Sequence, residues 1–276
     1  MDGGNPEIGG NVVAAGRATN YLEAGSGEPV VLIHGSGPGV TAYANWRLTV
    51  PALAEHFRVV APDIAGFGYT EASVDETFDY DVWIGHVVGF MDALGIRSAH
   101  VLGNSFGGAL AIQMAIRHPE RVRRLVLMGA VGAAFELTEG LDAVWGYQPG
   151  EDNMRRMIRY FAYDLSLISD ELVRSRYQAS LRPGIQEMYA GMFPAPRQRH
   201  IDRFAAPEDR VRAIDKETMI FHGRDDQVIP VQVAIRLNQL IPRSQLHVFG
   251  RCGHWTQVEH AARFNRMVTE FLLEDS

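Results

Sequence analysis

The chain has 276 residues, of which 46 % are hydrophobic and 21 % are charged. This composition predicts a folded globular protein with a large core and excludes an intrinsically disordered chain. With 26 Lys and Arg against 33 Asp and Glu, the formal net charge is −7. Nucleic acid is therefore not expected as a partner, since nucleic-acid binders usually present a basic face.

The cysteine content and the apolar runs limit the class of protein further. Cys252 is the single cysteine, which excludes an internal disulfide. The longest mainly apolar run, Leu125 to Phe135, is shorter than the roughly 18–20 residues of a membrane span. The first ten residues carry two acids and no Lys or Arg, unlike a secretory signal. The histidines show no metal-ligand spacing. We therefore expect a cytoplasmic protein without a membrane anchor, metal or cofactor.

Short β-branched runs alternate with longer amphipathic runs along most of the chain. In chain order, the predicted elements are strands Val12–Ala15, Ala18–Glu23 and Val30–His34, helix Asn45–Phe57, strand Arg58–Asp63, helix Tyr80–Leu94, strand Ala99–Gly103, helix Phe106–Arg117, strands Leu125–Ala130, Thr218–Gly223 and Gln245–Phe249, and helix Thr256–Leu273. Near-continuous apolar strands separated by helices indicate a parallel sheet covered on both faces.

The alternation is interrupted by a helical stretch of about 70 residues without a convincing strand. We predict a core of residues 1–137 and 208–276, with residues 138–207 inserted as a helical lid. An eightfold barrel is the alternative fold. Only six or seven strands follow the N-terminal hairpin, however, and the insertion leaves too little chain for eight regular units. The sequence therefore predicts an α/β fold with a mostly parallel open sheet.

The first chemical motif is Gly103-Asn104-Ser105-Phe106-Gly107. It lies between a predicted strand and a predicted helix, which is the context of a nucleophile elbow. Glycines flank the serine because the turn is tight, and the following N–H groups would face a developing oxyanion. The alternative is a glycine-rich turn with an idle serine.

A serine nucleophile needs a base that is held by an acid, and both follow later strands. Asp225 and Asp226 follow the strand Thr218–Gly223, and neighbouring extended residues point to opposite sides, so only one can meet the base. His254 lies in the loop after the last strand, where the base belongs. Cys252 has no elbow context, so it is interpreted as a small buried residue.

The third motif is the glycine-rich loop His34-Gly35-Ser36-Gly37-Pro38-Gly39, directly after the first parallel strand. That position suits the loop that supplies a second oxyanion-hole N–H. The alternative is a phosphate-binding loop, but the Lys of a P-loop and the dinucleotide fingerprint are both missing.

With these segments, the chain resembles the α/β-hydrolases and, among them, the meta-cleavage product hydrolases. The resemblance covers nearly the whole chain and rests on His34–Gly39, Ala44–Trp46, Gly103–Gly108, Thr138–Gly146, Met192–Arg199 and Gly253–Gln257. It implies an α/β-hydrolase fold and hydrolysis of a C–C bond in a 2-hydroxy-6-oxo-hexa-2,4-dienoate made by ring-cleaving dioxygenases. The branch it resembles acts on 2-hydroxymuconic semialdehyde and its small 6-alkyl analogues.

The resemblance also implies residue roles. It implies a triad of Ser105, Asp226 and His254, in which Asp226 fills the G-R-x-D position, and an oxyanion hole of the Ser36 and Phe106 N–H groups. The dienoate end would be held by Asn45, Asn104, Arg176 and Trp255. The pocket for the C6 substituent would be lined by Val131, Leu141, Trp145 and Val228. A homodimer or larger assembly, without a cofactor, is implied as well.

One of these roles, that of Arg176, has support from the residues themselves. A substrate carboxylate needs a cation, preferably a planar one, and the lid run Arg174-Ser175-Arg176-Tyr177 offers two arginines. Spacing alone leaves open that both only solvate the lid. If Val131 lines the C6 pocket, as the resemblance implies, it should favour a small C6 group over phenyl, because it is bulkier than Ala or Gly.

The mechanism implied by the triad and the resemblance begins with a proton shift that turns the dienol into a keto form, assisted by His254. Attack at C6 then forms an oxyanion, and its collapse releases a dienolate and a carboxylic acid. Attack by Ser105 itself and attack by water that Ser105 activates both remain open. The rival functions are a carboxylesterase with the same triad and a non-catalytic receptor for a small ligand.

Overall fold

The computed structural model describes residues 4–274, and its centre is one eight-stranded sheet. The strands are β1 (Gly10–Ala14), β2 (Arg17–Ala24), β3 (Pro29–Ile33), β4 (Arg58–Pro62), β5 (Ala99–Asn104), β6 (Val122–Met128), β7 (Thr218–Gly223) and β8 (Ser244–Phe249). Their order is β1-β2-β4-β3-β5-β6-β7-β8. β2 pairs antiparallel with β1 and β4, and all other pairs are parallel. The predicted open, mostly parallel sheet is confirmed.

Helices connect the strands and form the inserted segment. They are α1 (Ala42–Trp46), α2 (Val50–Leu53), α3 (Tyr80–Ala93), α4 (Phe106–Arg117), α5 (Glu139–Trp145), α6 (Glu151–Arg159), α7 (Asp170–Ser180), α8 (Ile185–Met192), α9 (Gln198–Phe204), α10 (Glu208–Arg212), α11 (Val231–Leu240), α12 (Thr256–Glu259) and α13 (Ala261–Leu273). Short 3-10 turns occur at Pro119–Arg121 and Leu165–Leu167. None of the helices in residues 4–274 is long and apolar enough to span a bilayer.

Both faces of the sheet are buried under helices. Along β3, Val31 and Ile33 belong to one apolar cluster, whereas Val30 and Leu32 belong to a second. Because successive side chains of a strand point to opposite faces, the two clusters lie on the two sides of the sheet. The first cluster contains residues of α3, α4 and α11, and the second contains residues of α1, α2 and α13. This is the layered arrangement that the apolar strands predict.

Two predicted helices have the wrong extent. The predicted helix Asn45–Phe57 is two short helices, α1 and α2. Thr41 starts α1 earlier than expected, since its side chain accepts a hydrogen bond from the Ala44 N–H. Pro51 at the start of α2 has no N–H to continue a helix from α1. The predicted final helix is likewise divided at His260, whose backbone is non-helical, into α12 and α13.

The stretch between β6 and β7 is helical, as predicted. Residues 138–207, here called the inserted segment, contain α5 to α9 and the second 3-10 turn, and all of these residues are described. Buried residues of α5, α6 and α8 belong to the same apolar cluster as α3 and α4. The inserted segment therefore shares an apolar cluster with the helices on one face of the sheet.

Candidate active site

Ser105 lies in a strained turn between β5 and α4. Its backbone has φ 54° and ψ −118°, a region that side-chain-bearing residues rarely adopt. A Cβ on Gly103 would lie 2.3 Å from the Gly107 carbonyl oxygen, and a Cβ on Gly107 would lie 2.3 Å from that of Ile33. Both positions therefore require glycine. The sharp turn has the form of a nucleophile elbow.

Asp226 and His254 meet at the carboxyl ends of β7 and β8. The His254 Nδ1 lies 2.7 Å from Asp226 Oδ2, and both side chains are buried. Asp226 Oδ1 accepts hydrogen bonds from the N–H groups of Val228, at 2.7 Å, and Ile229, at 3.0 Å. Asp225 instead pairs with the neighbouring Arg224 side chain. Of the two adjacent aspartates, the structure brings Asp226 to the histidine.

The Asp226 carboxylate is held in its charged form. Burial alone would raise its pKa, but the charge of His254 and the hydrogen bonds from His222 and His254 outweigh burial and lower the pKa well below the usual range. The His222 Nε2 lies 3.3 Å from Asp226 Oδ2 and 2.8 Å from the Ile229 carbonyl oxygen. Asp226 can therefore orient the His254 imidazole and stabilise its positive charge.

Other candidate nucleophiles and bases have different environments. Burial raises the pKa of the Cys252 thiol to about 12, so this side chain is not a thiolate at neutral pH. Burial lowers the pKa of His34 to about 4, and its two ring nitrogens bond to the Gly35 carbonyl and the Ile64 N–H. In residues 4–274, no cluster of three or more His, Cys, Asp or Glu could hold a metal ion.

The two N–H groups predicted for an oxyanion hole belong to Ser36 and Phe106. Phe106 begins α4, directly after Ser105, and Ser36 follows β3 in the glycine-rich loop. Within the described chain, neither N–H donates a hydrogen bond to a protein acceptor. The Ser36 hydroxyl also accepts a hydrogen bond from the Trp145 indole, at 3.1 Å. Both N–H groups are therefore free to bind an oxyanion.

A cavity of about 560 Å³ opens beside the serine, and Ser105, His254 and Ser36 line it. Asn45 and Asn104 line it too. The Asn45 side-chain oxygen accepts hydrogen bonds from the Gly35 N–H, at 2.8 Å, and from Asn104 Nδ2, at 3.0 Å. This network fixes the glycine-rich loop against the elbow.

Positively charged side chains line the same cavity. Arg176 forms an ion pair through Nη2 with Glu7, while its buried Nη1 has no hydrogen-bond partner in residues 4–274. Arg47 and Arg182 also line the cavity. Burial lowers the pKa of Arg47, and the nearby charge of Arg176 lowers it further. A bound anion would relieve this excess of positive charge.

The four residues predicted for a C6 pocket lie elsewhere. Val131, Leu141, Trp145 and Val228 are buried in the core cluster and are not among the residues that line the 560 Å³ cavity. Two of them nevertheless contact the triad: the Val131 N–H bonds to the Ser105 carbonyl, and the Val228 N–H bonds to Asp226. In this structure their side chains are packed against their neighbours, so their role as a substituent pocket stays a prediction.

Several cavity residues were not identified from the sequence. Glu7 precedes the first strand, and no motif marks it. Arg47 lies in the turn after α1, Arg182 lies in the bend between α7 and α8, and Phe161 lies in a loop of the inserted segment. The predicted residue Trp255 lines the cavity and stacks on Phe161, with ring centroids 5.2 Å apart. These residues come together only through tertiary contacts.

Comparison with known proteins supports the class that the fold and this site define. The sequence profile of the alpha/beta hydrolase fold matches residues 28–261. The chain belongs to the α/β-hydrolase family.

Similar proteins define the group within the family. The chain is 57 % identical over 270 residues to a 2-hydroxymuconate semialdehyde hydrolase of a Pseudomonas species, covering 98 % of this chain and 95 % of the relative. It is 58 % identical over 268 residues to a 2-hydroxy-6-oxo-2,4-heptadienoate hydrolase of Pseudomonas putida, covering 97 % of each. The solved meta-cleavage product hydrolase CumD of Pseudomonas fluorescens superposes with a TM-score of 0.96 at 57 % identity, covering 97 % of this chain and 98 % of that one. Within the family, the chain is a meta-cleavage product hydrolase, an enzyme that hydrolyses C–C bonds.

Proposed function

We propose that this enzyme hydrolyses the C5–C6 bond of 2-hydroxymuconic semialdehyde and its small 6-alkyl analogues. The products are 2-hydroxypenta-2,4-dienoate and a carboxylic acid, which is formate for the parent compound and acetate for the 6-methyl analogue. One observation carries the proposal: Ser105, His254 and Arg176 line one cavity, where His254 pairs with Asp226 and Arg176 Nη1 has no hydrogen-bond partner within residues 4–274. The names of the two curated relatives support this substrate class.

Substrate binding begins with its carboxylate. Arg176 Nη1, which has no partner among residues 4–274, supplies a charge-assisted hydrogen bond, and Arg47 adds further positive potential. Asn45, Asn104 and Trp255 hold the rest of the dienoate. The C6 carbonyl then lies beside Ser105, with its oxygen toward the N–H groups of Ser36 and Phe106.

The residues of this site can carry out the proton transfers that C–C cleavage requires. His254 assists the shift of a proton from the 2-hydroxyl to C5, which makes the dienoate an electron sink. Either Ser105, deprotonated by His254, or a water molecule that Ser105 activates adds to C6. The Ser36 and Phe106 N–H groups stabilise the resulting oxyanion, a contribution of about 3–4 kcal/mol for one donor in comparable sites. Collapse breaks the C5–C6 bond, and the electron pair leaves on the dienolate.

A carboxylesterase with the same triad is the second candidate. Ester hydrolysis needs the triad and the oxyanion hole, but it does not need a guanidinium with an unpartnered, buried nitrogen. Arg176 therefore favours a substrate that carries its own carboxylate. A non-catalytic receptor would need neither the strained backbone of Ser105 nor the pair of Asp226 and His254.

The dienol chromophore provides the test. We expect rapid bleaching of 2-hydroxymuconic semialdehyde and its 6-methyl analogue, slower bleaching of the 6-phenyl analogue, and only weak hydrolysis of p-nitrophenyl acetate. Ser105→Ala should slow the C–C cleavage strongly. Faster hydrolysis of the ester than of any dienol would favour the esterase, and near-normal cleavage by Ser105→Ala would contradict the assigned nucleophile.

We also propose that residues 138–207 act as a lid on a core of residues 1–137 and 208–276, that the enzyme is cytoplasmic, and that it assembles as a homodimer or larger oligomer. The position of Arg176 and Trp145 in the inserted segment supports the lid. The buried, unpaired Cys252 is compatible with a reducing compartment. Light scattering of the purified enzyme measures the assembly, and a monomeric mass would contradict it.

A further inference from the structure

The carboxylate of Glu259 connects the loop that carries His254 to the inserted segment. Glu259, in α12, accepts hydrogen bonds from the N–H of Gly253, at 2.8 Å, and from the N–H groups of Tyr163, at 2.9 Å, and Asp164, at 3.0 Å. Gly253 belongs to the histidine loop, whereas Tyr163 and Asp164 belong to the loop between α6 and α7. One side chain of the core thus joins the two loops.

Phe161 makes the second connection between these loops. Its carbonyl oxygen accepts a hydrogen bond from the Trp255 N–H, at 3.1 Å. Its ring stacks on Trp255, with an interplanar angle of 8°, and on the imidazole of His254, with ring centroids 5.6 Å apart. The inserted segment therefore contacts the face of the proposed catalytic base itself.

The histidine loop and the loop between α6 and α7 can lie this close together only because the residue before His254 is a glycine, Gly253. A Cβ on Gly253 would lie 2.6 Å from the Phe161 carbonyl oxygen and 2.9 Å from the Tyr163 nitrogen. The backbone from Arg251 to Trp255 forms neither helix nor strand, so contacts with its neighbours fix its position. On the core side, those contacts include the Cys252 carbonyl with the Asp225 N–H and the Asp226–His254 pair.

We propose that Glu259 and Phe161 are positioning residues that make the reactivity of His254 depend on the docking of the inserted segment. This inference rests on the proposed triad. Asp226 fixes the Nδ1 side of the imidazole, and the Phe161 ring fixes its plane. Glu259 holds Phe161 in place by binding the two N–H groups that follow it in the loop. When residues 161–164 detach, His254 keeps its acid partner but loses its orientation toward Ser105.

The test measures Ser105 reactivity without any dienoate. A fluorophosphonate probe reacts with a serine that its histidine activates, so its labelling rate reports the geometry of His254. In Glu259→Ala we expect the labelling rate and kcat for the dienol to fall about tenfold, because a small displacement of a catalytic group is costly. The matched control is Glu270→Ala, since Glu270 is an exposed side chain of α13 that forms an ion pair with Arg266, at 3.8 Å, on the same helix.

A second pair of variants separates positioning from a general loss of structure. Phe161→Leu removes the stacked ring, and Phe161→Tyr keeps it. We expect about a tenfold slower labelling for the first and near-normal labelling for the second, at temperatures well below either melting transition. Amide hydrogen exchange should accelerate at residues 161–164 and 253–255 in Glu259→Ala but not in the Glu270 control.

The results of these labelling experiments can be distinguished from the results of the test of the proposed substrate. Normal labelling by Glu259→Ala and Phe161→Leu would overturn the positioning role, as would equal losses for Phe161→Leu and Phe161→Tyr. A wild-type enzyme that is labelled at Ser105 but leaves every dienol unchanged would refute the proposed function, while the labelling series would still test the positioning role. A wild-type Ser105 that resists the probe would overturn the inference together with the triad.

Discussion

Removal of the Arg176 guanidinium gives the sharpest prediction about substrate recognition. Its Nη1 is buried and has no hydrogen-bond partner in the described part of the chain, while its Nη2 binds Glu7, which is only 7 % exposed. A hydrogen bond between a charged donor and a carboxylate contributes about 1.5–3 kcal/mol, so Arg176→Gln should raise KM for the dienol about tenfold to 150-fold. Hydrolysis of p-nitrophenyl acetate, which has no carboxylate, should not change.

The single substitution also leaves Glu7 without its partner. Breaking a fully buried ion pair on one side costs about 3–5 kcal/mol, so Arg176→Gln, whose pair is partly buried, should lose less than this and melt at a lower temperature. The double variant Glu7→Gln with Arg176→Gln removes both charges and should regain much of that stability while keeping the high KM. Steady-state kinetics and thermal unfolding of the single and double variants give the two quantities separately. A double variant with wild-type KM for the dienol would refute the carboxylate-binding role of Arg176.

Three further predictions follow from the geometry. Asp226→Asn should lower kcat about 10⁴-fold, because the amide stabilises the wrong imidazole tautomer, and a loss below tenfold in steady-state assays would contradict this role. Gly107→Ala should destabilise the fold by about 1–3 kcal/mol or more in urea unfolding, whereas Ala at Gly85 in α3, where a Cβ meets nothing within 4 Å, should not. Burial raises the pKa of Asp63 to about 6, so its contribution to stability is full below the unfolded pKa near 4 and is lost as the pH rises through 6. Relative to Asp63→Asn, the wild type should lose about 2.4 kcal/mol of unfolding free energy between pH 4 and pH 7, and a pH-independent difference would contradict this.

The chemical centre of the site could be predicted because each of its parts is local. The elbow around Ser105 needs only a strand, a tight glycine turn and a helix, and these three elements follow one another directly in the sequence. The position of His254 follows from its place after the last strand. Neighbouring residues of an extended segment point to opposite sides, so only one of Asp225 and Asp226 can be the acid that holds the histidine. The family resemblance selected Asp226, which is the residue that the structure brings to His254.

The rest of the site depends on contacts between distant segments, which residue spacing does not reveal. Glu7 reaches Arg176 across 169 positions of the chain. No sequence motif distinguishes Phe161 from other aromatic residues, and its stacking on His254 is visible only in the folded structure. The break between α1 and α2 does not show in the apolar spacing, which continues through Pro51; the missing N–H of that proline marks the break instead.

The central claim is that Ser105 and its partners hydrolyse a C–C bond. Product analysis of 2-hydroxymuconic semialdehyde turnover in ¹⁸O-labelled water tests it most directly. We predict equal amounts of 2-hydroxypenta-2,4-dienoate and formate, with ¹⁸O in the formate, from the wild-type enzyme and a strongly reduced rate from Ser105→Ala. Intact semialdehyde after incubation with the wild-type enzyme, or equal rates from the two proteins, would contradict the account.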